Sequence, residues 1–158
     1  MENVRAEILN TGSELMTAAQ IVINAPSGRI FEFLAHPSKH SLFDGSGTVQ
    51  KSISGPNRLY LGAKFGMSMK IRAPYRITNT VVAFDEGKKI TWCHLMKWTW
   101  GYQLEALPNG STRVIETFDA RHIPFFAKRW LKITGAMKYN PKWIAKSLVR
   151  LKAISEDN

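Results

Sequence analysis

Asn140-Pro141-Lys142-Trp143-Ile144-Ala145-Lys146-Ser147-Leu148-Val149-Arg150-Leu151-Lys152-Ala153-Ile154 is the one long run of this chain with a clear helical period. At about 100° per residue, Ile144, Leu148, Leu151 and, nearer the edge, Ile154 project to one side, with Lys142, Lys146 and Arg150 opposite. Pro141 stands where a first helical turn tolerates its missing N–H, and no glycine or further proline follows within the run. The spacing therefore predicts one helix with one apolar face, and that face needs something to lie against.

Upstream, the period is two. Residues 18–24 (AAQIVIN) form a short β-branched run that reads as a first strand. Ala25-Pro26-Ser27 then opens a segment in which Ile30, Phe31, Phe33 and Leu34 recur at helical spacing until Pro37 ends it, and residues 38–43 read as a second short helix. Asp44-Gly45-Ser46-Gly47 has loop chemistry. From there, strands are expected over residues 49–53, 64–72, 75–84, 89–95, 98–107 and 112–123, separated by turn sequences such as Gly55-Pro56-Asn57, Asp85-Glu86-Gly87-Lys88 and Pro108-Asn109-Gly110-Ser111. In the strand at 64–72, Phe65, Met67, Met69 and Ile71 share a face; in the next two pairs, Ile90, Trp92 and His94, and Trp98, Trp100, Tyr102 and Leu104, do the same.

One strand, two short helices, six strands joined by hairpin-length turns and a final long helix make an α+β order. The expected architecture is a curved seven-stranded antiparallel sheet wrapped around the C-terminal helix. A helix cannot fill the whole concavity, so a pocket lined by aromatics is expected beside it. Residues 1–17, without a steady period, read as a loose N-terminal arm, and residues 18–158 as one domain.

Composition narrows the function classes. The chain has 158 residues, 44% of them hydrophobic and 22% charged, values of a globular protein able to bury a core. The single cysteine, Cys93, excludes an internal disulfide, and MENVRAEILN lacks the basic-then-apolar pattern of a signal peptide, so a reducing cytoplasmic location is expected. The net charge of +10 is uneven: residues 120–155 hold no acidic residue but nine Lys and Arg. A solvated face, an anionic membrane surface or another anionic ligand accounts for such a patch. Nucleic acid is disfavoured, because no helix-turn-helix, zinc-finger spacing or RNA-binding aromatic signature accompanies the charge.

The order Ile21-Val22-Ile23-Asn24-Ala25-Pro26, Phe31-Glu32-Phe33-Leu34-Ala35, Pro37-Ser38-Lys39-His40, Trp100-Gly101-Tyr102-Gln103-Leu104-Glu105 and Thr112-Arg113-Val114-Ile115-Glu116-Thr117-Phe118 resembles the START-like (SRPBCC) superfamily, and more narrowly its polyketide cyclase/dehydrase branch. The resemblance spans residues 18–154. It implies a helix-grip fold with a deep apolar cavity between sheet and C-terminal helix, in which relatives bind lipids, sterols, polyketides, quinones or hormones, and some cyclise or dehydrate a polyketide. No catalytic motif is common to the superfamily, so it implies the cavity and not a mechanism.

The candidate lining is Phe31, Phe65, Met67, Met69, Trp92, Trp98, Trp100, Phe118 and Leu148, each of which also serves as plain core. The candidate proton-handling residues are Glu116, His94 and Tyr102. On the last strand, either Val114, Glu116, Phe118, Ala120 and His122 or Arg113, Ile115, Thr117, Asp119 and Arg121 face inward, and periodicity leaves both open. With the first set inside, Glu116 sits among aromatics, where desolvation raises a carboxyl pKa into the range of acid/base work. His94 reads as a core histidine or a proton shuttle, and Tyr102 as packing or a donor to a ligand carbonyl. No metal site is read: His36 and His40 are four apart but separated by Pro37 and without an acidic or cysteine partner. No cofactor motif is present either; Asp44-Gly45-Ser46-Gly47-Thr48 lacks the phosphate-loop lysine and reads as a gate beside the cavity.

Residues 124–139 interleave Phe125, Phe126, Trp130, Leu131 and Ile133 with Lys128, Arg129 and Lys132. That pattern suits a lid on the sheet mouth or weak contact with an anionic membrane. Three functions are thus carried forward: binding of a small hydrophobic molecule (polyketide, lipid or aromatic), a cyclase or dehydratase using cavity acid/base groups, and a lipid or quinone chaperone docking on anionic membranes. Both a monomer and a homodimer paired through a sheet edge fit the pattern.

Overall fold

The computed structural model describes residues 4–157. In chain order the elements are β1 (Glu7–Leu9), β2 (Met16–Ile23), α1 (Ser27–Ala35), a 3-10 turn (Pro37–Lys39), α2 (His40–Phe43), β3 (Val49–Ser54), β4 (Lys64–Lys70), β5 (Pro74–Asp85), β6 (Lys89–His94), β7 (Thr99–Ala106), β8 (Thr112–Asp119), α3 (Phe125–Thr134) and α4 (Ala136–Glu156). The strands form one antiparallel sheet in the order β1-β2-β8-β7-β6-β5-β4-β3. The run β3 to β8 is a meander, as hairpin-length turns dictate, and β2 closes onto β8 with Ile21 opposite Val114 and Ala19 opposite Glu116.

The sheet has eight strands rather than the seven expected. The additional one lies in the supposedly loose arm: β1 pairs with β2 in the register Ile8 to Ala19. Three residues are too few to show a period, and the pairing is with an edge that only the tertiary fold creates.

α4 runs along β2, with further contacts to β8, α1, α2 and α3. Its buried stripe is Asn140, Ile144, Ser147, Leu148, Leu151 and Ser155. Ile154 is only partly buried; Ser155 takes the inward position. The helix also starts earlier than residue 140, so Pro141 lies inside it. There the ring removes the N–H that would reach the Met137 carbonyl, a local cost that packing on both sides outweighs. Gly135, at φ 66°, separates α3 from α4 and donates its N–H to the Leu131 and Lys132 carbonyls.

The core lies between the concave sheet face and the helices, and includes Ile23, Ile30, Phe31, Leu34, Phe65, Met67, Val81, Ile90, Val114, Leu148 and Leu151. Ile71, expected on the face of Phe65, Met67 and Met69, is 68% exposed, because β4 ends at Lys70. No helix among the described residues is long and apolar enough to cross a membrane.

Candidate functional site

The inward face of β8 is settled by burial: Val114, Glu116 and Phe118 alternate inward, and His122 lies past the strand's end and is exposed. Cross-strand register then decides the company Glu116 keeps. Tyr102 of β7 stands opposite Glu116, and Trp100 opposite Phe118. Trp100 donates its Nε1–H to Glu116 Oε1 at 2.7 Å. Glu116 Oε2 is buried and has no hydrogen-bond partner among the described residues.

Burial dominates the electrostatics here. It pushes the Glu116 carboxyl up to about 8, against the lowering influence of the Trp100 indole N–H and then of the Tyr102 hydroxyl, with the negative charge of Asp44 adding to the rise. Tyr102, also buried, has its hydroxyl held well above the ordinary range by burial first and by the Glu116 carboxylate second. A tyrosine that keeps its proton beside a carboxyl that loses one near neutrality is a workable donor–acceptor pair.

Around this pair the aromatics form a continuous cluster. Trp92 lies 5.7 Å from Tyr102, 5.8 Å edge-on from Phe65 and 5.0 Å, nearly parallel, from His40 (ring centroids). Trp100 meets Phe118 edge-on at 5.0 Å, and Phe43 meets Tyr102 at 6.3 Å. Offset and edge contacts of this kind add stabilisation beyond area burial. Trp92, His94, Trp98 and Trp100 face inward yet remain partly exposed, whereas Ile90, Leu104 and Val114 further along the same face are buried. The helices therefore cover one end of the concave face fully and leave the aromatic end open.

Neither of the two depressions found among the described residues is the deep cavity between sheet and C-terminal helix that the family resemblance implies. Met67, Met69, Phe65 and their neighbours fill the concave side, and Phe31 and Leu148 lie in its closed part. Two depressions of about 300 Å³ each lie elsewhere: one is lined by Lys88, Gln103, Glu105 and Arg113, the other by Ser38 and residues 52–57. The partly exposed aromatics at one end are the part of the concave face that the helices leave open.

His94 does not join Glu116. Its ring stacks on Trp98 at 4.3 Å, and its Nδ1 accepts the Met96 N–H at 3.0 Å, so it braces the β6–β7 turn. Burial lowers its pKa. Sequence reasoning missed His40, because its spacing to His36 drew attention to metal binding. His40 instead donates Nε2–H to the Leu34 carbonyl at 2.8 Å, and burial holds its pKa at about 4. His36 accompanies Glu32, its Nδ1 2.8 Å from that residue's carbonyl oxygen. The two imidazoles serve separate backbone groups.

The loop after α2 is clamped rather than free. Gly45 donates its N–H to Ser147 Oγ at 2.7 Å, Arg150 donates to the Asp44 carbonyl, and Asp44 Oδ2 accepts the Val49 N–H at 2.9 Å. A side chain at position 45 would meet the Trp143 carbonyl at 2.2 Å, so only glycine admits this approach to α4.

A helix gripped by an antiparallel sheet of this order is found in solved structures. Ms6760 of Mycobacterium smegmatis superposes with a TM-score of 0.69 at 14% identity, covering 96% of this chain and 97% of that one. The polyketide-cyclase-like protein Cgl2372 of Corynebacterium glutamicum superposes at 0.62 with 18% identity, covering 90% and 91%. The chain has the START-like helix-grip fold. No family model matches the chain. In sequence it is 37% identical over 135 residues to the uncharacterised protein Rv0088 of Mycobacterium tuberculosis, a match covering 83% of this chain. The chain spans 60% of the length of the curated relatives it matches. The START-like fold is thus set by structure, and the chemistry of the site must be argued from its residues.

Proposed function

We propose that this protein binds a small, mostly apolar molecule of polyketide, lipid or aromatic type at the open aromatic end between the sheet and α4, with Glu116 meeting a hydrogen-bond donor on that molecule. The observation that carries this reading is the unpartnered Oε2 of Glu116, buried among Trp100, Tyr102 and Phe118. Burial keeps this carboxyl protonated up to about 8, and burying a polar oxygen without a hydrogen-bond partner costs free energy that the Trp100 N–H, which reaches only Oε1, does not return. An interior selected for stability alone has no use for that group, whereas a ligand hydroxyl or amine has. The partly exposed Trp92, Trp98 and Trp100 supply flat apolar surface beside it.

A second reading, an enzyme of cyclase or dehydratase type, is favoured by the Glu116 carboxyl at about 8. A group titrating there takes or returns a proton at neutral pH, and the protonated Tyr102 can donate to a carbonyl. Cgl2372 shares the fold and is described as polyketide-cyclase-like; that description supports the substrate class only by analogy.

The test is native mass spectrometry of the purified protein, followed by organic extraction and identification of what is released. A stoichiometric hydrophobic adduct, lost in Glu116→Leu and Trp100→Ala, is the expected result. A clean apo mass with no thermal shift across polyketide, fatty-acid, sterol and quinone panels overturns the reading. If an adduct is found, its turnover by the parent but not by Glu116→Gln selects the enzymatic alternative.

A further inference from the structure

Helix α3 has three faces. Ala127 and Leu131, four residues apart, are buried against the body and anchor it. Phe126, Trp130 and Ile133, at i, i+4 and i+7, form a second stripe, and they are 63%, 55% and 71% exposed; Phe125, at the helix start, is 80% exposed. Lys128, Arg129 and Lys132 form a third, exposed stripe alongside. A helix whose aromatics served as a lid would turn them onto the sheet; this one holds on by an alanine and a leucine and presents its large apolar side chains outward.

The hairpin tips at the end of the sheet where β8 finishes repeat the pattern. Between β4 and β5, exposed Ile71 stands between exposed Lys70 and Arg72. Between β6 and β7, Leu95 is 79% exposed and Lys97 follows two residues later, also exposed. The β4–β5 hairpin continues beyond the last β5–β6 pair, Asn79 with His94, so its tip projects. Three separate elements thus carry exposed apolar side chains next to cations, and residues 120–155 contain no acidic residue.

We infer that α3, with the Ile71 and Leu95 hairpin tips, is a docking surface for an anionic lipid bilayer. The large apolar side chains enter the headgroup boundary while the neighbouring Lys and Arg meet lipid phosphates, the arrangement of an interfacial helix. Charge complementarity selects this occupant: a second copy of this chain would bring the same cationic stripe against itself, and a protein groove would leave the three cations without the diffuse negative charge they match. The partly open aromatic end of the concave face lies at the same end of the strands, since Trp98 and His94 flank the Leu95 tip. Docking would set the proposed binding space toward the bilayer.

The test is cosedimentation of the full chain with phosphatidylcholine vesicles with and without phosphatidylglycerol. Attachment to the anionic vesicles alone, falling as salt is raised, is expected. Each cation removed should weaken partitioning about fivefold, so Lys128→Gln, Arg129→Gln and Lys132→Gln combined should weaken it about a hundredfold. Phe126→Ser with Trp130→Ser should also release the protein, by removing the apolar anchor. All five side chains are exposed, and an unchanged thermal midpoint verifies that the variants fold. Equal recovery on both vesicle types, or full attachment of either variant, overturns the inference. So does a dimer in light scattering that Trp130→Ser dissociates in a protein that ignores vesicles, which would give the surface to self-association.

Discussion

Trp100 and Glu116, on neighbouring strands and two residues apart in register, are joined by an indole N–H to carboxyl bond of 2.7 Å beside Tyr102 and Phe118. This bond orients one carboxyl oxygen and leaves the other bare, while burial makes Glu116 a group through which pH acts on the fold.

The carboxyl titrates at about 8 in the folded protein, against 4.5 as its ordinary value. A raised pKa means that the stabilising, protonated state is fully present below the unfolded value and is lost as pH rises through the folded one. Between pH 6.5 and 8 the loss amounts to about 2 kcal/mol. Urea unfolding at those two pH values should show it, and Glu116→Gln should flatten the dependence and be the more stable protein at pH 8.

His40 has the opposite sign. Its folded value of about 4, depressed from 6.5 by burial, means that stability is intact above pH 6.5 and lost as pH falls toward 4, by about 3 kcal/mol in all. From pH 4.5 to 6.5 the two groups oppose each other, so the stability profile should be nearly flat there. His40→Phe keeps the stacking on Trp92 but leaves the Leu34 carbonyl without its donor. It should cost about 1–3 kcal/mol at pH 7 and unmask the Glu116 slope, so that stability rises as pH falls from 6.5 to 4.5 instead of staying flat, as read by thermal unfolding across pH.

Gly45 touches the backbone of α4. Gly45→Ala places a methyl group where the Trp143 carbonyl and Ser147 N–H already are. The loop must withdraw, breaking the Gly45 to Ser147 bond, at a cost of about 1–3 kcal/mol. Gly47→Ala, with nothing within 4 Å but a φ of 70°, should cost less, about 1 kcal/mol. Comparing their urea midpoints separates steric from conformational cost.

Lys97 is the one non-glycine residue described at positive φ, 75°. Its N–H closes the β6–β7 turn on the His94 carbonyl at 2.8 Å. Lys97→Gly relieves the strain and should raise stability by about 0.5–1 kcal/mol, seen as a higher thermal midpoint. A lower midpoint would show that the lysine side chain contributes more than its backbone costs.

Residues 140–154 and the alternation from residue 49 onward were enough to predict a C-terminal helix against an antiparallel meander, because amphipathic periods of 3.6 and 2 follow from element geometry alone. The aromatic composition of the site was legible for the same reason: Trp92, Trp98, Trp100 and Tyr102 alternate on their strands. What tertiary structure alone decided was register and coverage. The inward choice for Glu116 over Thr117 depends on how β8 meets β2 and β7, which a period of two leaves undetermined. His40 enters the aromatic cluster only because the turn after α1 folds over β6, and β1 exists only because β2 leaves an edge to pair with. How far the helices cover the concave face, and so how much of the expected cavity is filled, depends on packing among residues far apart in the chain, and no local period encodes it.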